Sequence, residues 1–335
     1  MAGNERPVRL AILGTGAIGG IHALAAQEAP EVTVTAVWSR TPSHARDLAE
    51  RVAATAYDTI EETVSRHDVD AVVVCTPTFL HREHAITAAR AGKHVICEKP
   101  LARELGDAEA ILEATRSAGV RLLVAHVVRF FPEFVALRRA VLDGVVGQPA
   151  VVRMSRGSGY PRGRDDWHVS YRQSGGVLLD MGIHDLDWLL WTFGPAERVY
   201  TRALDPVSRP EYVDYALTTV RLRGGAIAHI ESSWAETGGF RTHGEVAGDA
   251  GLLTYDSALN PALSVSPRQP VAAPRIAIPT TYTVESPYVT QIRHFARCIR
   301  GEVEPVIAPE EAYEALRVAL TALDTARSGQ PARLS

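Results

Sequence analysis

The sequence predicts an α/β protein in two parts. An N-terminal Rossmann domain with a doubly wound parallel sheet precedes an α+β domain with a large, mostly antiparallel open sheet. The first third of the chain alternates apolar, β-branched runs with segments of helical period, the mark of repeated β-α-β units. A GxGxxG stands between the first strand and the first helix. After about Ala125 the rhythm changes to a succession of strands with few helices.

Taken in order, Val8–Leu13 is a short apolar run ending at a glycine, and 18–29 carries apolar residues at helical spacing. Val32–Trp38 is rich in β-branched residues and reads as a strand, 46–54 as a helix. The run DAVVVC over 70–75 is continuously apolar, as expected of a strand covered on both faces. A helix over 81–91, a strand over 94–97, a helix over 107–118 and a strand over 121–124 complete the pattern. Beyond these, 134–142 reads as a helix, and 150–155, Tyr215–Leu222, 226–233 and 241–247 as strands. Gly224-Gly225 suits a two-residue hairpin turn. One strong helix interrupts the strands near 180–192, and 257–279, rich in Pro, Ala and Ser, reads as loop or sheet edge. Helices over about 287–300 and Pro309–Ser328 close the chain. The domains are expected over 1–125 and 126–335, with room for the C-terminal helices to pack back on the first.

The 335 residues suffice for two cores, and 46% hydrophobic with 22% charged residues is an ordinary globular composition. A net charge of -4 argues against a nucleic-acid surface. No apolar run reaches membrane-spanning length, and the N-terminus lacks a signal-peptide layout, so a soluble, cytoplasmic chain is expected. Cys75, Cys97 and Cys298 form no CxxC pair, which fits a reducing compartment. Cys75 and Cys97 lie in apolar runs and read as small buried hydrophobes.

Gly14-Thr15-Gly16-Ala17-Ile18-Gly19 has the context of a dinucleotide loop. Glycine permits the tight turn and the close approach of pyrophosphate, and the helix N-terminus, at Ala17 and Ile18, favours the negative charge. About 20 residues on, an acidic group would read a free ribose 2′-hydroxyl. Ser39 and Arg40 stand there instead and suit a 2′-phosphate, which favours NADP and leaves NAD open.

Further motifs follow: Cys75-Thr76-Pro77-Thr78 with His81; Glu98-Lys99-Pro100; Arg129-Phe130; the stretch from Ser174-Gly175-Gly176 through Asp180 to His184; and Tyr288-x-x-Gln291-x-x-x-Phe295. In this order and spacing, over nearly its whole length, the chain resembles the Gfo/Idh/MocA family. That family includes glucose–fructose oxidoreductase, inositol dehydrogenases and dihydrodiol dehydrogenases. The resemblance implies that Thr76, Pro77 and Glu98 line the nicotinamide side, with His81 and Arg129 also at the cofactor. It implies a catalytic set of Lys99, Asp180 and His184, a cis Lys99–Pro100 peptide, and a sugar or cyclitol substrate. It further implies a homodimer or homotetramer formed through the open sheet face. Two departures stand out: Ser174 replaces the first of three glycines, and Trp167-His168 replaces a Trp-Arg pair.

Asp180 and His184 are four apart and share one face of a helix. Lys99 ends a parallel strand, where ligands of such sheets bind. Lysine, imidazole and carboxylate together suit alcohol–ketone redox chemistry, in which a base takes the hydroxyl proton as hydride leaves. Asp187 shares the face of Asp180 and His184, but a further imidazole or thiolate ligand is lacking, so no metal is expected and Asp187 reads as structural. The loop 153–167 carries Arg156, Arg162, Arg164, Asp165 and Asp166; it suits an anionic substrate or a neighbouring subunit, or is simply solvated. The expected function is hydride transfer between a nicotinamide and a hydroxyl or keto carbon, with no nucleic-acid or membrane partner. The alternatives are a non-enzymatic dinucleotide-binding regulator and an NAD-dependent glycosidase.

Overall fold

The computed structural model describes residues 6–161, 167–168, 170–204, 214–236, 239–259, 263–267 and 285–334. Its chain divides into two compact units, Met1–Phe130 with Glu285–Tyr313 and Phe131–Val284 with Glu314–Ser335.

The first unit runs β1 (Val8–Leu13), α1 (Ala17–Glu28), β2 (Val32–Trp38), α2 (Pro42–Arg51), β3 (Thr55–Tyr57) and α3 (Ile60–Ser65). It continues with β4 (Ala71–Val74), α4 (His81–Arg90), β5 (His94–Glu98), α5 (Leu105–Ser117) and β6 (Leu122–Ala125). Among the described residues these strands form a six-stranded sheet in the order β3-β2-β1-β4-β5-β6. Every pairing is parallel. The order reverses between β1 and β4, the switch point where ligands of doubly wound sheets bind. Every residue of β4 is buried, as its unbroken apolar run requires. The short β3 and α3 went unforeseen, although α3 opens with a full capping box between Thr59 and Glu62. From the end of the chain, α9 (Pro287–Ile299) adds Val289, Ile292 and Phe295 to the same core as Leu10, Ala23 and Val34.

The second unit contains α6 (Pro132–Leu142), β7 (Pro149–Gly157), α7 (Tyr171–Ser174), a π-helical turn over Leu178–Gly182, and α8 (Ile183–Phe193). Then follow β8 (Ala196–Leu204), β9 (Tyr215–Leu222), β10 (Ile227–Ser233), β11 (Arg241–Gly248), β12 (Gly251–Asp256) and β13 (Leu263–Pro267). The residues of α10 (Pro309–Ser328) from Glu314 on, and β14 (Ala332–Arg333), complete it. Among the described residues the sheet has eight strands, ordered β13-β12-β11-β7-β10-β9-β8-β14. Its pairings are antiparallel except β7 with β10. Burial alternates cleanly: Ala216, Thr218, Val220 and Leu222 of β9 point inward, Leu217 and Arg221 outward. Inside, the Trp188 indole of α8 donates to the Phe134 carbonyl at 3.0 Å, and the Phe134 ring meets Tyr255 edge-on at 5.2 Å.

Two local expectations are corrected. The β9–β10 hairpin turns over three residues: Leu222 N donates to the Ala226 carbonyl at 3.0 Å, and Gly225 takes φ of 99°. The extra residue lets a glycine in the left-handed region absorb the twist. The helix expected over 180–192 opens with the π turn, which holds Asp180. Most of 257–279 lies outside the described residues, and β13 is the sheet edge within it.

Candidate active site

In the first unit the glycine loop joins β1 to α1. Gly14 takes φ of 102°, and a Cβ there would stand 2.7 Å from the Cys75 carbonyl oxygen. At Gly16, by contrast, a Cβ would meet nothing within 4 Å, and this N-cap of α1 has no side-chain hydrogen bond. The loop is therefore packed against β4 at one end and open where the helix begins, which fits a pyrophosphate against the helix N-terminus. Thr15 and Ser39 share a hydrogen bond at 3.0 Å that ties the loop to the end of β2, and Arg40 beyond it is exposed.

Two histidines of α4 grip the Thr76-Pro77 turn. His84 Nδ1 and the Thr76 hydroxyl share a hydrogen bond at 2.9 Å. Burial, then the neighbouring His81, pulls the His84 imidazole down to about 4, so it is neutral at physiological pH. The His81 ring lies between two carbonyls, its Nε2 at 2.8 Å from Thr76 O and its Nδ1 at 2.9 Å from Pro100 O. Burial pushes His81 below its ordinary range while the carbonyls act in the opposite sense. Both nitrogens thus face the protein's own backbone, and the ring has nothing left to offer a cofactor.

Glu98 and Pro100 are buried and Lys99 between them is half-buried; the Lys99–Pro100 peptide is cis. The Glu98 carboxylate accepts from His22 Nε2 at 2.7 Å and from the Lys99 amide at 3.1 Å. His22 lies on the buried face of α1, its ring meeting the edge of Tyr288 at 5.9 Å. This histidine was missed in the sequence reading. Arg129 is also redirected: its side chain is 1% exposed, and Nη1 donates to Glu311 at 2.8 Å and to the Val306 carbonyl at 3.0 Å. It fastens the late segment to the first unit rather than facing a ligand.

In the second unit, Ser174 makes use of the side chain that its replaced glycine lacks. Its hydroxyl donates to the His168 carbonyl at 2.9 Å and accepts from Gly176 N at 3.0 Å. The Trp167 and His168 rings lie against each other at a tilt of 33°, their centroids 3.9 Å apart. From 174 to 189 every residue is buried except Asp180 and His184, each half-buried. The two side chains expected to act are thus the two that this segment leaves open. Gly182 between them packs on β10, where a Cβ would stand 2.7 Å from the Ser232 hydroxyl. Asp187 is buried. Asp185, beside His184, is clamped by Arg156 through bonds of 3.0 and 2.7 Å, with side chains 5% and 2% exposed. Arg156 is therefore neither solvated nor available to a substrate; Arg162, Arg164, Asp165 and Asp166 lie outside the described residues.

Among the described residues no group of three or more His, Cys, Asp or Glu is placed to hold a metal ion, and no helix is long and apolar enough to cross a membrane. Cys75, Cys97 and Cys298 are buried free thiols. A cavity of about 460 Å³ lined by Arg6, Asp70, Lys93 and Arg300 lies at the amino ends of the first sheet's strands, away from the Gly16 and Lys99 end. Its cations are engaged by the protein: Arg6 by Asp70, and Lys93 by the Arg66 and Val69 carbonyls.

Two sequence profiles match. Residues 8–126 fit the oxidoreductase family with NAD-binding Rossmann fold, and residues 134–254 the Gfo/Idh/MocA C-terminal domain. The chain belongs to the Gfo/Idh/MocA family. This Gfo/Idh/MocA oxidoreductase is 29% identical over 315 residues to myo-inositol 2-dehydrogenase of Thermotoga maritima, covering 92% of this chain and 93% of that one. It is 32% identical over 282 residues to 1,5-anhydro-D-fructose reductase of Ensifer adhaerens, covering 82% and 83%. The crystal structure of GenD2 from gentamicin A biosynthesis in complex with NAD superposes with a TM-score of 0.88 at 25% identity, covering 99% of this chain and 97% of GenD2.

Proposed function

We propose that this oxidoreductase is an NAD(P)-dependent dehydrogenase or reductase of a CH–OH group on a sugar or cyclitol. One observation carries the reading: Lys99, Asp180 and His184 are half-buried exceptions within otherwise buried motifs. The names of the relatives, a cyclitol dehydrogenase and an anhydrosugar reductase, support the substrate class.

Gly14, Gly16, Ala17 and Ile18 hold the dinucleotide's phosphates, and Thr76, Pro77 and Glu98 lie on its nicotinamide side. Ser39 and Arg40 take a ribose 2′-phosphate, so NADP is preferred over NAD. When bound, the nicotinamide supplies the hydride acceptor or donor. Lys99 or His184 exchanges the proton of the substrate hydroxyl, and Asp180 orients the hydroxyl or its charged neighbour. The protein works in the cytoplasm as a homodimer or homotetramer joined through the outward face of the second unit's sheet, where Leu217 and Ile227 are exposed.

The test is a panel of inositols, D-xylose, D-glucose and 1,5-anhydro-D-fructose with oxidised and reduced NAD and NADP, followed at the reduced-nicotinamide absorbance. Net cofactor turnover on a polyol or its ketone is expected. Tight NADPH binding with no net turnover across the panel would overturn the reading in favour of a regulator or a glycosidase.

A further inference from the structure

The turn that carries Lys99 is tied down on both flanks by buried histidines. On one flank, His22 of α1 donates to Glu98 Oε1 at 2.7 Å, and Glu98 Oε2 accepts the Lys99 amide at 3.1 Å. His22 Nδ1 has no hydrogen-bond partner among the described residues, and the N–H that meets the carboxylate is the one on Nε2. On the other flank, His81 of α4 lies 2.9 Å from the Pro100 carbonyl through Nδ1 and 2.8 Å from the Thr76 carbonyl through Nε2. The Lys99 N–H and the Pro100 carbonyl, one on each side of the lysine, are therefore held by way of rings that are 0% and 1% exposed, while the lysine itself is half-buried.

We propose that His22 and His81 are positioning residues for Lys99, an inference that rests on Lys99 acting in the proton exchange. Hydrogen bonds in a water-free interior are short of alternatives: removing one partner leaves the other unsatisfied, and the turn moves to find another. His22 stands three residues after Gly19, on the helix whose N-terminus bears the glycine loop. His81 likewise connects the Lys99 turn to the Thr76-Pro77 turn. The lysine's turn is thus set against the two elements assigned to the dinucleotide: by His22 through the Glu98 carboxylate, and by the His81 ring wedged between the Thr76 and Pro100 carbonyls, to one of which a neutral imidazole donates. A displacement of about 1 Å at a reacting group is enough to lower a rate by about a hundredfold.

The test compares His22→Gln, whose amide nitrogen reaches the place of Nε2, with His22→Asn, whose amide nitrogen stops at the place of Nδ1. His81→Leu tests the other flank. With the substrate found by the panel, His22→Asn and His81→Leu should lower kcat roughly 10- to 100-fold while NADPH affinity holds. His22→Gln should restore most of the rate. In a Lys99→Ala background neither substitution should lower kcat further, because the residue being positioned is gone. Wild-type kcat in His22→Asn with only a lower Tm, or a full additional loss in the Lys99→Ala background, would overturn the proposal. If Lys99→Ala itself turns over normally, the proton-exchange reading fails, and crystal structures of the variants decide the brace separately. A displaced Lys99 in His22→Asn supports it, and an unmoved Lys99 refutes it.

Discussion

Replacing Arg156 with alanine should be among the most destabilising single changes in the second unit. Arg156 and Asp185 are 5% and 2% exposed, so the substitution strands a carboxylate away from water. It removes two charge-assisted hydrogen bonds, of 3.0 and 2.7 Å. At roughly 1.5–3 kcal/mol each these account for about 3–6 kcal/mol, matching the roughly 3–5 kcal/mol typical of breaking a buried pair from one side. The guanidinium also sits 5.6 Å from the Phe134 ring centre, so packing is lost as well. Urea unfolding followed by tryptophan fluorescence suits the measurement, since Trp167, Trp188, Trp191 and Trp234 all belong to this unit. Arg156→Lys should lose less, keeping the charge without the fork. The double variant Arg156→Leu/Asp185→Leu should recover most of the loss. A loss under about 1 kcal/mol for Arg156→Ala would refute the account of a desolvated, mutually dependent pair.

Gly14→Ala should lower Tm sharply, because of its φ of 102° and the Cys75 carbonyl at 2.7 Å; Gly16→Ala should fold normally yet weaken NADPH binding in a fluorescence titration. Arg40→Asp should shift calorimetric affinity from NADPH toward NADH, because the proposed arginine–phosphate contact becomes a like-charge one. His84 titrates at about 4 when folded against 6.5 ordinarily, so below pH 6.5 the unfolded chain binds a proton that the folded one does not. Stability should therefore fall between pH 6.5 and 4, and His84→Asn should flatten that slope in urea titrations at successive pH values. If the outward sheet face joins the subunits as proposed, Leu217→Arg on it should lower the mass seen in light scattering without lowering Tm.

The parallel sheet was legible because β4 is buried on both faces and β2 is a long β-branched run: neither stretch admits many other readings. The second sheet was legible only in part. Strands such as β8, with Glu197, Arg198 and Arg202 exposed, carry too many charges on their outward side for a clear apolar signal. Of the site, Lys99, Asp180 and His184 stood out by motif, but their supports did not. His22 stands at a helix position whose neighbours on the buried face are alanines, so the sequence signals a buried polar group without naming Glu98, 76 residues away, as its partner. Arg156 occupies an inward position of β7, on the same face as Val152 and Met154, which marks a paired cation; Asp185 becomes its partner only through tertiary packing. His81 and Arg129 looked like ligand contacts because motif spacing records proximity to a site, while the structure shows which atoms their side chains hold.

The central claim is tested most directly by turnover of Lys99→Ala and His184→Ala on the identified substrate, with NADPH binding measured separately. The account predicts that Lys99→Ala binds NADPH as the wild type does and turns over on the order of a hundredfold or more slowly. His184→Ala should match that loss if it donates the proton, or raise KM if it holds a substrate hydroxyl. Near-wild-type turnover in both variants would contradict the account.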